Sequence, residues 1–254
     1  MNQLEIKDLT LNFGGIVALN RVAMGVAQGQ IHAVIGPNGA GKTSLFNCLS
    51  GVYPPTSGEI LFEGRSLAKK RPHQIAALGL ARTFQNLGLF GQMNVIDNLL
   101  LGRHHRFSSG PFSGVLFWGK ALREEIEHRE KVEEIIEFLE IEKFRKKMVS
   151  ALPYGIQKRV ELGRALAMEP KILLLDEPTA GMNVEETEDI SRFALDIKEA
   201  LGITIIMVEH DMGVVMDLAD KITVLNFGSK IAEGTPLEIQ ANPEVVEAYL
   251  GKEE

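Results

Sequence analysis

Short apolar runs alternate with helical patterns along most of the chain, and this alternation is the first indication of its fold. Continuous apolar runs of strand length occupy residues 30–35, 171–176 and 203–208. Such runs are typical of strands that are covered on both faces. Residues 42–50 follow the first run and residues 185–201 separate the other two, and both have helical periodicity. This succession predicts βαβ units and a mostly parallel sheet.

The segments near the two ends extend the α/β prediction. Residues 59–62 and 80–84 are further strand candidates, and residues 243–250 have the pattern of a short helix after a turn. Residues 4–26 alternate apolar and polar positions around Gly14-Gly15. That pattern predicts an antiparallel hairpin at the N-terminal end.

The middle of the chain contains helical patterns with no convincing strand between them. Residues 93–103, 120–144 and 156–168 all predict helices, and residues 108–114 carry a loop signal. The dense charges of both signs at 120–147 favour a solvated helix face over a dedicated binding surface. We therefore predict one domain over residues 1–254. Its core comprises residues 1–84 and 167–254, and a helical subdomain is inserted at about 85–166.

Composition narrows the functional classes. The chain has 254 residues, 45% of them hydrophobic, and a net charge of −7, so it suits a packed globular protein and disfavours broad nucleic-acid binding. Cys48 is the single cysteine, which excludes an internal disulfide and predicts a buried thiol. No apolar run reaches the ~20 residues that a membrane span needs. Residues 1–8 lack a signal-peptide core, so we expect a cytoplasmic chain that reaches a membrane only through a partner.

A glycine-rich segment carries the strongest chemical signal. Residues 36–43 read Gly-Pro-Asn-Gly-Ala-Gly-Lys-Thr and fit the phosphate-loop pattern at every fixed position. Lys42 is expected to neutralise the β- and γ-phosphates, and the Thr43 hydroxyl to bind Mg²⁺. The alternative is a chance glycine-rich turn, which arises in roughly one chain of this length in a hundred. The strand before and the helix after favour phosphate binding. The expected contacts are Gly36, Pro37, Asn38, Gly39, Ala40, Gly41, Lys42, Thr43 and Ser44.

Two adjacent carboxylates end the apolar run at 171–176. In an open α/β sheet, ligands bind outside the carboxyl ends of the strands, which places Asp176 and Glu177 beside the phosphate loop. Asp176 is suited to Mg²⁺, and Glu177 can accept a proton from water aimed at the γ-phosphate. A strand that merely ends in solvated acids is the alternative, and the phosphate loop makes it the weaker one.

With these motifs in this order, the chain resembles the ATPases of the ATP-binding-cassette (ABC) family. The resemblance implies a P-loop NTPase fold with a mixed sheet core, an N-terminal antiparallel β part and an inserted helical subdomain. It implies that Gln85 contacts Mg²⁺ or the attacking water, that His210 bonds the γ-phosphate and that Phe13 stacks on adenine. From the residues alone, each of these roles has an alternative. Gln85 and His210 could be structural residues at strand ends, and the alternative for Phe13 is a core phenylalanine in the N-terminal hairpin.

The family's signature segment is altered in this chain. Where the family has Leu-Ser-Gly-Gly-Gln, residues 152–157 read Leu-Pro-Tyr-Gly-Ile-Gln, so Pro153 removes a hydroxyl contact to the γ-phosphate. Backbone N–H groups at the start of the following helix can still bind an anion. The resemblance therefore implies that Tyr154, Gly155 and Gln157 contact the nucleotide of a partner chain. Asn183 also departs from the pattern, since many family members have aspartate there.

One subfamily is similar over most of the chain: the first ATPase subunit of branched-chain amino-acid importers. The similar segments are residues 81–85 (Ala-Arg-Thr-Phe-Gln), 89–90, 98–100, 112–114, 154–155, 180–183 (Ala-Gly-Met-Asn), 242–245 and 248–251. The resemblance implies ATP and Mg²⁺ as cofactors, and composite ATP sites formed with a second ATPase subunit, either a different chain or a copy of this one. It also implies two transmembrane permease subunits, an external solute-binding protein and a peripheral position on the cytoplasmic face of the plasma membrane.

Three other functions compete with this prediction. The same motor can serve a urea, short-chain amide or other small-solute importer. A soluble ABC ATPase of DNA repair or ribosomes usually has two cassettes, long coiled coils or basic extensions, which this acidic single cassette lacks. A P-loop kinase or GTPase is disfavoured because the signature segment would go unexplained and no guanine-specific Asn-Lys-x-Asp is present.

Overall fold

The computed structural model describes residues 2–83, 87–106 and 120–250. These residues form two compact units. The first contains residues 2–83 and 171–250, and the second contains residues 87–106 and 120–170. Gln85 lies outside the described residues, as do the loop signal at 108–114 and residues 251–254.

All the described strands belong to the first unit, in two sheets. They are β1 (Asn2–Phe13), β2 (Ile16–Ala27), β3 (Ile31–Ile35), β4 (Ser57–Phe62), β5 (Arg65–Ser66), β6 (Leu80–Arg82), β7 (Ile172–Asp176), β8 (Thr204–Val208), β9 (Lys221–Asn226) and β10 (Ser229–Gly234). An antiparallel sheet has the order β2-β1-β4-β5, and a second sheet has the order β10-β9-β3-β8-β7-β6. In the second sheet only β10 runs antiparallel to its neighbour. The predicted mostly parallel sheet and N-terminal hairpin are both present.

The buried strands of the parallel sheet determine where the site lies. Every residue of β3, β7 and β8 is buried, as expected for strands without a solvated face. β3 pairs with β8, and β8 pairs with β7, all in parallel. The carboxyl ends of these three strands therefore meet at one edge of the sheet.

Nine α-helices are found among the described residues. They are α1 (Lys42–Leu49), α2 (Pro72–Leu78), α3 (Val95–Gly102), α4 (Lys120–Phe138), α5 (Tyr154–Leu166), α6 (Val184–Glu199), α7 (Met212–Leu218), α8 (Pro236–Gln240) and α9 (Pro243–Leu250). Asn183 caps α6 in a reciprocal arrangement with Glu186, so the asparagine that departs from the family pattern has a structural role here. No helix in the described part of the chain has both the length and the apolar character required to cross a bilayer.

The second unit is built on α3, α4 and α5, and one predicted helix is shorter than expected. The helix predicted at 120–144 ends at Phe138, and a separate 3₁₀ turn follows at Glu142–Phe144. Glu140 has a φ of 57° and the Ile141 N–H bonds the carbonyl of Ile136 at 3.0 Å. This left-handed residue with its backward hydrogen bond is a Schellman-type helix end, which periodicity alone does not reveal.

A buried histidine in β3 has a consequence for acid stability. His32 is fully buried, and its Nε2 lies 2.8 Å from the Thr223 Oγ1. Burial lowers its pKa from 6.5 to about 4, with Lys221 and Lys230 adding to the shift and Glu233 opposing it. Between these two values the unfolded chain binds a proton at this position that the folded chain does not. The histidine therefore destabilises the fold as the pH falls from about 6.5 to about 4.

We predict that the wild-type protein loses about 2 kcal/mol more unfolding free energy between pH 7 and pH 5 than the His32→Gln variant does. Urea unfolding at both pH values measures this difference. Glutamine keeps a polar side chain near Thr223 but does not titrate. His73→Gln, at an exposed histidine, is the control and should keep the wild-type pH dependence. An equal loss in wild type and His32→Gln would contradict the prediction.

Candidate nucleotide site

The loop between β3 and α1 has a backbone shape that requires glycine. Gly36 and Gly41 have φ values of 149° and 102°. A Cβ at Gly36 would lie 2.1 Å from the Leu225 carbonyl oxygen, and one at Gly41 would lie 2.7 Å from the Ala18 carbonyl oxygen. A side chain at either position would therefore clash with backbone, in addition to the strain of the positive φ.

Backbone of β2 and of the turn between β9 and β10 flanks this loop. The Gly228 N–H donates to the Ala40 carbonyl at 3.0 Å, and the Asn20 N–H donates to the Gly228 carbonyl at 2.8 Å. A Cβ at Gly228 would lie 2.8 Å from the Ala18 carbonyl oxygen. The loop is thus held between β2 of the antiparallel sheet and the turn that joins β9 to β10.

Lys42 begins α1 and is held against the loop. Its Nζ donates to the carbonyl oxygens of Gly36 and Pro37, at 2.6 and 3.0 Å. Burial lowers the pKa of Lys42, and the Glu177 carboxylate acts in the opposite direction. The predicted phosphate-binding cation and the predicted base therefore interact electrostatically.

The start of α1 has the properties of an anion site. Its N-cap is Gly41, no side chain caps the helix and no acidic residue lies in its first turn. N–H groups of a helix start that lack a side-chain cap favour phosphate. Thr43 is exposed and Ser44 is half-buried, while Asn38 and Gly39 are exposed on the loop. A nucleotide can therefore reach these four predicted residues.

Glu177 and His210 are in direct contact. Glu177 follows β7 with a φ of 49°, and its N–H bonds the Val208 carbonyl at the end of β8 at 2.9 Å. The His210 Nε2 lies 2.6 Å from the Glu177 Oε1. Because a carboxylate oxygen accepts, the Nε2–H is the donor. The left-handed backbone of a non-glycine residue is strained, and such strain clusters at functional sites.

Asp176 is buried and paired with an arginine that the sequence reasoning did not single out. The Arg82 Nη2 donates to the Asp176 Oδ2 at 2.7 Å. The Thr83 Oγ1 accepts from the Asp176 N–H at 3.3 Å. The sequence does show Arg82 as a charged residue inside the strand-like run at 80–84. That its partner is Asp176 follows only from the pairing of β6 with β7.

Glu209 was also missed, and it joins the two loops that carry Glu177 and His210. Its buried carboxylate accepts from the Thr179 N–H at 2.9 Å and from the Thr179 hydroxyl at 2.7 Å. It also accepts from the His210 N–H at 3.0 Å. A fully engaged carboxylate of this kind restricts the backbone around the candidate catalytic residues.

The oxygen atoms of this site fit Mg²⁺. Protein sites for nucleotide-bound Mg²⁺ use one or two carboxylates together with phosphates and hydroxyls. Asp176 supplies a carboxylate in which, among the described residues, only Oδ2 is engaged in a hydrogen bond, and Thr43 supplies an exposed hydroxyl. No cluster of three or more acidic, histidine or cysteine ligands occurs within the described ranges. Phosphate oxygens of the nucleotide would complete the set of ligands, as is usual for Mg²⁺ at nucleotide sites.

Phe13 is a surface residue, which argues against its alternative as a core phenylalanine. It ends β1 with 45% of its surface exposed. The ring of Tyr53 meets it edge-on, with the centroids 5.1 Å apart. An exposed ring fixed by a neighbouring ring offers a face on which a base can stack.

The signature residues belong to the second unit, whereas the phosphate loop belongs to the first. Pro153 is the N-cap residue of α5, and no side chain makes a capping hydrogen bond there. The first N–H groups of this helix therefore have no side-chain acceptor from the cap. Tyr154 is exposed and Gly155 is buried. The Gln157 Nε2 donates to the Leu152 carbonyl at 2.8 Å, so this amide already holds its own loop.

Comparisons of the sequence identify related proteins over nearly the whole chain. A family profile described as "ABC transporter" matches residues 19–180, and one described as "Branched-chain amino acid ATP-binding cassette transporter" matches residues 229–254. The chain is 40% identical over 249 residues, 98% of both chains, to the high-affinity branched-chain amino acid transport ATP-binding protein BraF of Pseudomonas aeruginosa. The protein LivG of Escherichia coli K12, with the same description, has the same identity and coverage.

Solved structures agree with the fold. A nucleotide-free ATP-binding cassette from an ABC transporter superposes with a TM-score of 0.86 at 33% identity, over 99% of this chain and 100% of that chain. The ADP conformation of an ATP-binding cassette gives a TM-score of 0.85 at the same identity and coverage. These similarities confirm the predicted fold class.

Proposed function

This chain belongs to the ATP-binding cassette family of ABC transporters, and on that premise we propose that it hydrolyses ATP to drive the import of branched-chain amino acids. One observation carries the proposal of hydrolysis. The phosphate loop, the Asp176-Glu177 pair and His210 all follow parallel strands that end at the same edge of one sheet. The solute is supported by the descriptions of relatives that share about 40% of the sequence over 98% of the chain.

Nucleotide binding begins at the phosphate loop. The N–H groups at the start of α1 surround the phosphates, and Lys42 exchanges its two loop carbonyls for phosphate oxygens. Thr43 and Asp176 would hold Mg²⁺, which would neutralise charge on the phosphates. Phe13 supports the adenine by stacking. Gln85, outside the described residues, is assigned to Mg²⁺ or the attacking water by the family pattern alone.

Hydrolysis requires a base, and Glu177 is the carboxylate best placed to serve. We assign His210 two partners. One is the Glu177 carboxylate, whose Oε1 lies 2.6 Å from the His210 Nε2. The other is the γ-phosphate of ATP: when the Nε2–H donates to it, Glu177 is released to orient a water and accept its proton. The buried Glu209 keeps both loops in place during this exchange.

Complete sites require a partner chain. Tyr154, Gly155 and Gln157 belong at the start of the helix that covers the γ-phosphate held by a second cassette, either a different ATPase subunit or a copy of this chain. The N–H groups of α5 then replace the serine hydroxyl that Pro153 removes. Two transmembrane permease subunits would anchor the chain to the cytoplasmic face of the plasma membrane, and an external binding protein would deliver the solute.

The proposal is tested by purifying the affinity-tagged chain from its own cells in a mild detergent and identifying every co-purifying protein. Two polytopic membrane proteins and a second cassette ATPase are expected. Their external binding protein is then titrated with leucine, isoleucine, valine and urea, and the reconstituted complex is assayed for solute-stimulated ATP hydrolysis. If only urea stimulates ATP hydrolysis, the transported solute is urea and not a branched-chain amino acid. Only soluble partners, from fully extracted membranes, would refute the importer.

A further inference from the structure

A single buried guanidinium connects α1 to the end of β7. Arg82 ends β6, and only 8% of its side chain is exposed. Its Nη2 bonds the Asp176 Oδ2 at 2.7 Å. Its Nη1 bonds the Asn47 Oδ1 at 2.7 Å and the Ser50 Oγ at 3.0 Å. The two arms of one planar group therefore reach two separate elements.

The surroundings of Arg82 fix the orientation of this group. The centre of the guanidinium lies 5.6 Å from the centroid of the Phe46 ring, on the same helix as Asn47. A guanidinium has a rigid fork of donors, so contacts on both arms also determine where its carboxylate partner points. The Asp176 Oδ2 is taken by this contact, and Oδ1 is the oxygen that remains for another ligand.

The first turn of α1 carries candidate nucleotide contacts, and its other end contacts Arg82. Lys42 and Thr43 stand in its first turn, at the phosphate loop, whereas Asn47 and Ser50 stand at its other end, against Arg82. α1 is therefore tied at that end to the residue that holds Asp176. This connection therefore restricts the movement of α1, which carries Thr43, relative to the Asp176 carboxylate.

We infer that Arg82 is a positioning residue for the metal site: it ties the Asp176 carboxylate to the helix that carries Thr43, so that both oxygen ligands are placed before Mg²⁺ arrives. The inference rests on the proposed function, since it takes Asp176 and Thr43 as the metal ligands. Removal of a residue that hydrogen-bonds a metal ligand, without binding the metal itself, commonly changes the metal affinity about 10- to 100-fold.

The test uses Mn²⁺, which like Mg²⁺ prefers oxygen ligands, as a paramagnetic probe. The full-length chain is mixed with a smaller amount of an ATP analogue that has an imido β–γ bridge, and free Mn²⁺ is followed by electron paramagnetic resonance. In Arg82→Gln the dissociation constant of Mn²⁺ should rise about tenfold, while analogue affinity in EDTA stays within about twofold. Arg82→Lys should be intermediate, because its ammonium keeps the charge but cannot bridge all three partners. Arg65→Gln, at an exposed arginine of β5, should match the wild type.

The outcomes separate positioning from simple packing. If both Arg82 variants bind Mn²⁺ as the wild type does, the inference is overturned, even when their melting temperatures are lower. If Arg82→Gln does not fold, Arg82→Lys and Ser50→Ala decide, and unchanged Mn²⁺ affinity in both overturns it. If the wild-type complex binds Mn²⁺ no better than the free analogue does, the metal site of the proposed function itself is refuted.

Discussion

Replacement of Glu177 by glutamine is expected to lower ATP turnover at least a hundredfold while ATP binding stays within about threefold. General-base catalysis commonly contributes about 10²- to 10⁴-fold, and an amide cannot accept the proton of the attacking water. Glutamine has the same shape, and its carbonyl oxygen can still accept from the His210 Nε2, which lies 2.6 Å away in the wild type. Steady-state phosphate release measures turnover, and calorimetric titration with ATP measures affinity.

The same variant should accumulate as an ATP-bound dimer, because the nucleotide that joins two cassettes is no longer removed. Size-exclusion chromatography with and without ATP detects this species. Glu185→Gln, at an exposed carboxylate in the first turn of α6, is the control and should turn over normally. Near-normal turnover of Glu177→Gln would exclude Glu177 as the base.

Replacement of Lys42 by alanine should weaken ATP binding at least tenfold. The loss of a buried charge that contacts phosphate directly commonly costs more than the ~1.4 kcal/mol that corresponds to a factor of ten. The lysine already stands at the loop, where its Nζ bonds two carbonyl oxygens. Titration calorimetry with ATP and with ADP checks the prediction.

Lys7→Ala, at an exposed position of β1, provides the matched control and should bind ATP as the wild type does. The far-ultraviolet circular dichroism of the Lys42→Ala protein should be unchanged, which separates lost contact from lost fold. Equal ATP affinity in Lys42→Ala and wild type would contradict the phosphate-loop assignment.

The strands nearest the site were predictable because local sequence determines them strongly. The runs that became β3, β7 and β8 are fully buried, and strands covered on both faces must be apolar throughout. The β9–β10 hairpin was missed for a physical reason. Only one of its two central turn residues carries the usual signal: Gly228 has a φ of 79°, but Phe227, with a φ of 43° and 87% of its surface exposed, stands where asparagine, aspartate or glycine is preferred. Helices α2, α7 and α8 have five to seven residues, too few for a clear period.

The candidate site was predictable residue by residue but not contact by contact. Glu177 and His210 could each be placed at a strand end, yet their contact depends on β7 and β8 being neighbours. The Arg82–Asp176 pair likewise depends on β6 lying beside β7. Pairs this distant in sequence follow from topology rather than from a local pattern. The catalytic and binding roles assigned to these residues stay predictions until the variants are measured.

Because two backbone segments flank the phosphate loop, its consensus sequence alone is not sufficient to fix its conformation in this chain. A fragment that contained only β3, the loop and α1 would keep all eight consensus positions but lose both the Ala18 carbonyl and the Gly228 backbone. The backbone shape of the loop would then lack the contacts that flank it in the whole chain. We therefore expect that the loop does not keep its shape when it is transplanted alone. A scaffold designed to carry it must also supply two backbone segments that lie far from it along the sequence.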